Sequence, residues 1–341
     1  MRPPARALVL ALVAAAFQVV MVAANVWPAS RTAPRDVPVV VAGPQRSATA
    51  VALRIETASP GAFRVERLPD EEAARQALTD RRAYGAIVVG RAGPRLLIAS
   101  GAGPAVAQVL TELGRRLTGQ PTATPRDVVP AARHDPRGTG GGGLVLALIL
   151  SGIGGAVLLS LHVRPALWRV AGLLVFAACG GAASALVAGT ALSVLPASYP
   201  AVAGMIALST LAVAASVAGL GAAIPRAGIG LGAAVMMLLA NPWSGATSAP
   251  EMLPRPWGTI GQDLPAGAAA TLLRSVTFFD GAGAGTPLTV LLIWTSYGLI
   301  LLAAGTRRHQ PPTVPLRPYP APRHAGRTRD VPTVIVAGPA R

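Results

Sequence analysis

The chain has 341 residues, 52% of them hydrophobic and only 13% charged, whereas average globular chains carry roughly 25% charged residues; an ordinary soluble protein is excluded. All 30 basic residues are Arg, and against 14 acids they leave a net charge of +16, an excess that would suit a nucleic-acid binder. Its placement argues otherwise: Gly138 to Pro250 holds only Arg164, Arg169 and Arg226, the pattern of a polytopic membrane protein with polar ends.

A bilayer core is about 30 Å thick, so a spanning helix needs roughly 20 mostly apolar residues. Ala7–Val26 meets that length, and residues 1–27 are read as a first span behind a short cytosolic N-terminus. Its apolar run exceeds a signal-peptide core, so an uncleaved anchor is expected, with a cleaved signal peptide as the alternative. Residues 28–143 are too long and too polar for a loop and are expected to form an extracytoplasmic α/β domain with a hinge. Val37–Val41 is a β-branched run ending at Gly43-Pro44, and Phe63–Leu68 alternates apolar and charged side chains; both read as strands. Pro69-Asp70-Glu71-Glu72 opens a helix, with Pro early and acids in the first turn, and Ala73, Ala77 and Leu78 share one face. Tyr84–Val89 and Leu96–Ala99 read as strands. Pro104–Leu117 reads as a helix with Val106, Val109, Leu110 and Leu113 on one stripe, and Arg126–Val129 as a last strand. This order implies a mixed sheet. The segment has one His, His134, and no Cys, and shows no metal spacing, nucleophile elbow or phosphate loop. Gly138–Gly143 lacks the Lys-Ser/Thr ending of a P-loop and reads as a hinge. No enzyme activity and no cofactor, catalytic or metal residue is expected.

Residues 144–305 are expected to hold five further spans: Leu144–Leu161, Val170–Leu192, Ala201–Ile224, a short one from Ala227 to the Asn241-Pro242 break, and Pro287–Ala304. The fifth is short enough to be tilted or re-entrant. An outside hairpin, residues 244–286, precedes the last span. Its stretch from Met252 to Phe279 is mildly amphipathic and broken by Pro254, Pro256, Gly261 and Pro265, so it suits dipping into the outer leaflet or capping a path. Small residues, Gly152, Gly154, Gly155, Gly180, Gly181, Gly228, Gly230 and Gly232, allow close helix packing, and the Gly228/Gly232 pair offers a dimerisation face. No Asp, Glu or Lys lies inside any span, which speaks against a proton- or sodium-coupled pump. Residues 306–341 are rich in Pro and Arg and read as a disordered cytosolic tail. Residues 329–339 nearly repeat residues 35–44.

With the N-terminus inside, Arg2, Arg6, Arg164, Arg169, Arg226, Arg307 and Arg308 all fall on inside segments. The short outside loop Ser193–Pro200 is uncharged, and the outside hairpin carries Arg255 and Arg274 against Glu251, Asp263 and Asp280. Six spans with both termini cytosolic satisfy the positive-inside rule. A multi-pass protein of the cell membrane is expected, with the lipid bilayer and no nucleic acid as its surroundings.

One span, an outer α/β domain and then five spans form a layout that resembles the permeases of type-2 ABC exporters, more narrowly their phage-infection-protein-like branch. Local sequence adds to the resemblance. Asp70–Tyr84 leads into Gly85-Ala86-Ile87-Val88-Val89 as an acidic, Ala-rich helix leads into a strand in that family. Asp127–Pro130 and Asp135–Gly138 are similar to its approach to the second span. Asn241-Pro242-Trp243-Ser244-Gly245, Pro250–Pro254, Leu264-Pro265 and Gly267 are similar to its broken fifth span and outer hairpin. The resemblance covers roughly residues 1–305. It implies export of an amphiphilic or envelope-related substrate by a dimer, homodimeric or formed with another permease, driven by a separate cytosolic ATP-binding-cassette ATPase. It assigns ATPase coupling to the inside loop through Arg164, Pro165 and Trp168. It assigns an outside gate to Asn241, Pro242, Ser244, Gly245, Pro254 and Pro265. The chain departs from the better-known exporters in having only Met1–Arg6 before its first span and a brief coupling loop. A non-transporting scaffold or sensor, whose outer domain binds a cell-envelope partner, is the rival reading.

Overall fold

The computed structural model describes residues 3–91, 93–118, 124–224 and 227–308. The expected tail from residue 309 on, with its repeat of residues 35–44, and Arg2 and Arg226, both expected inside, lie outside the described residues.

Helix α1, Pro3–Ser30, is apolar along its length. Within it, Asn25 donates its amide to the Met21 carbonyl at 2.9 Å. At its end the Arg31 guanidinium lies 5.7 Å above the Trp27 ring.

The chain then builds a sheet from β1 (Val37–Ala42), β2 (Phe63–Leu68), β3 (Gly85–Gly90), β4 (Gly93–Ile98) and β5 (Arg126–Asp127), in the order β2-β1-β3-β4-β5. β1 runs parallel to β2 and β3, β4 antiparallel to β3, and β5 parallel to β4. The continuous Val run of β1 is explained by burial on both faces. Val37, Val39 and Val41 meet Ile55 of α2 (Gln45–Ala58) and Val106, Leu110 and Leu113 of α4 (Pro104–Thr118). Val40 and Ala42 meet α3 (Glu71–Thr79) on the other side. Asp70 caps α3 by accepting from the Ala73 amide at 2.9 Å, the N-cap role its short carboxylate suits. The buried stripe of α3 is Ala74, Ala77 and Leu78. Ala74 therefore takes the place expected of Ala73, which is half-buried.

Among the described residues, five helices are long and apolar enough to cross a membrane: Pro4–Ser30, Thr139–His162, Ala166–Ala191, Tyr199–Ala223 and Gly285–Gly305. We label the last four α5 (Thr139–His162), α6 (Ala166–Ala185, continued by a π-helical segment to Ala191), α7 (Tyr199–Ala223) and α11 (Gly285–Arg308). The chain is thus a mostly helical protein of polytopic membrane type. The fifth expected span differs. Helix α8 (Gly228–Val235) and a π-helical segment, Met236–Ala240, reach only to the Asn241-Pro242 break. At 1.5 Å per residue they rise about 20 Å, short of a bilayer core. Helix α11 continues to Arg308, past the expected start of the tail.

α7 is the hub, two-thirds buried, with α5, α6, α8 and α11 around it. Bare backbone makes this possible. A side chain at Gly219 would collide with the Gly298 carbonyl, one at Gly298 with Ala215, one at Gly305 with Ala222, and one at Gly181 with Ala203 and Ala207. Gly228 and Gly232 press on Leu220 and Val217, so this small-residue pair faces α7 of its own chain. Gly154, Gly180 and Gly230 meet nothing within 4 Å.

Candidate functional site

The polar chemistry gathers where the sheet meets the segment after the Asn241-Pro242 break. That segment runs through Asn241–Ala249, a 3₁₀ turn at Pro250–Met252, α9 (Trp257–Gln262) and α10 (Pro265–Phe278) before α11 begins. Proline at position 242 has no amide to donate, and the helical ladder stops there. Trp243 then stacks on Trp257 with ring centroids 4.2 Å apart. The Ser244 hydroxyl donates to the Asn241 carbonyl at 2.7 Å and accepts from the Ala246 amide at 3.2 Å. Gly245 has φ +64°, and a side chain there would strike the Ala249–Pro250 backbone. The turn requires glycine twice over.

This irregular strap leaves carbonyls without a helical partner, and two side chains of the hairpin supply one. Arg274, buried on α10, donates from Nη2 to the carbonyls of Gly245 (2.6 Å), Ala246 (2.8 Å) and Ser248 (3.3 Å). Gln262 donates from Nε2 to the Ser244 carbonyl at 3.2 Å, and its Oε1 accepts from the Thr271 hydroxyl at 2.6 Å. The hairpin is drawn tight by glycine: side chains at Gly258, Gly261 and Gly267 would collide with the carbonyls of Pro250, Trp243 and Gly261. Pro254 is buried and its carbonyl accepts from the Trp257 amide at 2.9 Å. Pro265 is also buried and starts α10, where a missing amide costs nothing. Trp294, nine residues into α11, donates from Nε1 to the Asp263 carbonyl at 2.8 Å. The α9–α10 turn therefore lies about 14 Å along α11 from its start, and α10 climbs back to the sheet.

The sheet grips the same hairpin. The amides of Ala33 and Arg35 donate to the carbonyls of Met252 (3.0 Å) and Glu251 (2.9 Å), and Arg35 Nη1 adds a bond to the Met252 carbonyl at 2.9 Å. The Tyr84 hydroxyl donates to Glu251 Oε2 at 2.8 Å. Arg81 donates to the Thr271 carbonyl at 2.9 Å and to the Ser275 hydroxyl, and its guanidinium lies 5.7 Å above the Phe279 ring. Arg255 pairs with Asp36. Phe278 packs on Gly101, and Phe279 joins the core beneath α3. Burial and the Glu251 charge push the Tyr84 hydroxyl well above its ordinary range, so it stays a donor. Burial lowers Arg81 to about 10, still a cation at neutral pH.

Between the two faces lies a cleft of about 470 Å³. Arg35, Arg64, Arg81 and Tyr84 line it from the sheet side, and Glu251, Gln262 and Thr271 from the hairpin. Volumes of about 300–1,000 Å³ are those of small-ligand sites. No family model, curated protein or solved structure matches the chain.

Of the residues expected to form an outside gate, Asn241, Pro242, Ser244 and Gly245 lie in the strap, and Pro254 and Pro265 bracket α9. All six belong to the segment between α8 and α11. Arg164, Pro165 and Trp168 lie apart from them. They form the turn between α5 and α6, where Pro165 precedes α6 and Arg169 donates twice to the Val163 carbonyl, at 3.0 and 2.7 Å. Trp168 is 68% exposed. The other end of α5 touches the strap, Gly142 against Thr247, so the two groups are about 36 Å apart along that helix. Sequence reasoning did not find Arg81, Tyr84, Arg35 or the clamp role of Arg274. Each acts across 160 residues or more, except Arg274, whose partners are carbonyls and leave no trace in side-chain spacing.

Proposed function

We propose that the chain is the permease-like subunit of an exporter of the type-2 ABC kind, paired with a second permease copy or relative and driven by a separate ATPase. In this reading the sheet stands on the outer face and both termini face the cytosol of a cell-membrane protein. α8 and the strap together make a broken fifth crossing, which brings the total to six. The observation that carries it is the strap itself. Irregular backbone at membrane depth survives only where protein satisfies it, and Arg274 and Gln262 do so for four consecutive or near-consecutive carbonyls. A broken crossing held this way, and tied to an outer layer by Arg35, Arg81 and Tyr84, suits a gate that couples outer motion to a path between helices. The ATPase would meet the turn at Arg164, Pro165 and Trp168, whose exposed indole offers a docking side chain.

Affinity purification from the native membrane tests this. An ATP-binding-cassette protein should co-purify, and Trp168→Ala should release it. Absence of any ATPase, together with unchanged efflux of amphiphilic dyes on deletion, would leave the scaffold reading in its place.

A further inference from the structure

The cleft's charge is unbalanced in a way that the fold does not use. Arg255 is matched by Asp36, and Arg82 by Glu66 at 3.5 Å. Arg35 and Arg81 bond only to carbonyls and a hydroxyl. Among the described residues, no carboxylate lies within ion-pair distance of Arg35, Arg64 or Arg81. Glu251 is engaged by Tyr84. The lining thus holds five guanidiniums against two carboxylates, Asp36 and Glu251, and Glu251 attracts Arg81 without closing an ion pair.

The backbone puts them there. Arg64 of β2 is level with Pro38 of β1, and the Pro38 carbonyl accepts from the Tyr84 amide at 3.0 Å, so the starts of three parallel strands form one wall. Arg81 reaches the opposite wall from an unusual position. It follows α3 with φ +60°, and the amides of Arg81 and Arg82 donate to the carbonyls of Leu78 (3.1 Å) and Ala77 (2.8 Å). This is the helix-ending motif in which glycine is the usual residue. An Arg held in the left-handed region costs on the order of 1 kcal/mol, and the cost is met where the side chain has work to do.

We infer that this cleft is a binding site for the phosphate of an anionic amphiphile. Guanidinium forks match phosphate oxygens in pairs. The hairpin wall adds neutral groups, the second Nε2 proton of Gln262 and the accepting lone pairs of the Thr271 hydroxyl, suited to a glycerol or sugar hydroxyl beside the phosphate. A route for the hydrocarbon follows from the same wall: α9 carries exposed Ile260 and descends to the Asp263 turn beside Trp294. The inference rests on the proposed function only for placing the cleft at the outer leaflet.

The test uses the full chain in detergent, with phosphatidylglycerol and phosphatidylcholine as probes and bound lipid counted by native mass spectrometry. Phosphatidylglycerol should bind in preference. Arg64→Gln, on an exposed side chain with no structural partner, should weaken it about tenfold, as the loss of one charge-assisted pair predicts. Arg64→Lys should recover part of the loss, and Arg46→Gln on α2, away from the cleft, should change nothing. Glycerol 3-phosphate tells the sources apart. Weak competition supports a lipid, and competition equal to the lipid's, with the same Arg64 dependence, supports a soluble phosphate ester at the same site. Equal binding of both lipids, or indifference to Arg64→Gln, overturns the site. Binding is read without any ATPase, so a cleft that binds lipid while no ATPase co-purifies sinks only the transport reading.

Discussion

At the scale of single residues, Arg274, Tyr84 and Arg81 hold the joint between sheet and hairpin. Arg274→Ala would remove the side-chain donor from three carbonyls of a buried strap, of which that of Gly245 keeps the Ser248 amide at 3.2 Å. Charge-assisted bonds are worth roughly 1.5–3 kcal/mol each, and because they share one nitrogen we expect a loss of about 3 kcal/mol rather than their sum. A thermal melt in detergent should show it. Tyr84 makes a pH-dependent contribution. Its hydroxyl keeps its proton in the folded protein, whereas the unfolded chain loses it above about pH 10. The folded state then binds more protons, so stability falls as pH rises through that range. Arg81, lowered to about 10, acts in the opposite sense, since there the unfolded chain holds the proton longer. The measurable consequence is a difference: the advantage of the native protein over Tyr84→Phe should shrink as pH passes about 10. An advantage that grows would contradict the assignment. Arg81→Gly should relax the backbone after α3 yet loosen the hairpin, read as faster proteolysis at residues 279–284.

At the scale of elements, what the sequence revealed depended on the range of the forces involved. Strands β1 to β4 and helices α3 and α4 follow from local alternation, capping and stripes, and the structure has them within a few residues of expectation. α2 leaves little local trace, because Gln45–Ala58 mixes Arg, Thr and Ala with few large apolar residues, and packing on β1 decides it. The break at Asn241-Pro242 was legible because proline chemistry is local. The clamp across it was not, since it joins side chains to distant carbonyls. The same contrast separates glycines that look alike in sequence. Gly298 touches the α7 backbone, while Gly230 is exposed and meets nothing. Gly298→Val should drive α7 and α11 apart and cost at least about 3 kcal/mol or abolish folded yield, by overpacking a helix contact. Gly230→Ala should be neutral or stabilise α8 by up to about 1 kcal/mol. Size-exclusion profiles and melts of the two variants check both.

At the scale of the whole molecule, the mapping of charge to sides resolves the opening excess of +16. Sixteen Arg stand beside ten acids between Arg31 and Arg137, and the rest of the excess falls on segments assigned to the cytosol. In the proposed arrangement an outer sheet and a clamped broken crossing are joined to an inner turn about 36 Å away along α5. Everything in that arrangement depends on the sheet and the α5–α6 turn lying on opposite sides of a membrane. Sided cysteine labelling measures this directly. The native Cys179 is replaced by Ala, and single cysteines are placed at Arg91, on the exposed β3–β4 turn, and at Trp168. In intact cells an impermeant maleimide should label Arg91→Cys at once and Trp168→Cys only after permeabilisation. Labelling of Trp168→Cys in intact cells, or protection of Arg91→Cys, would contradict the account.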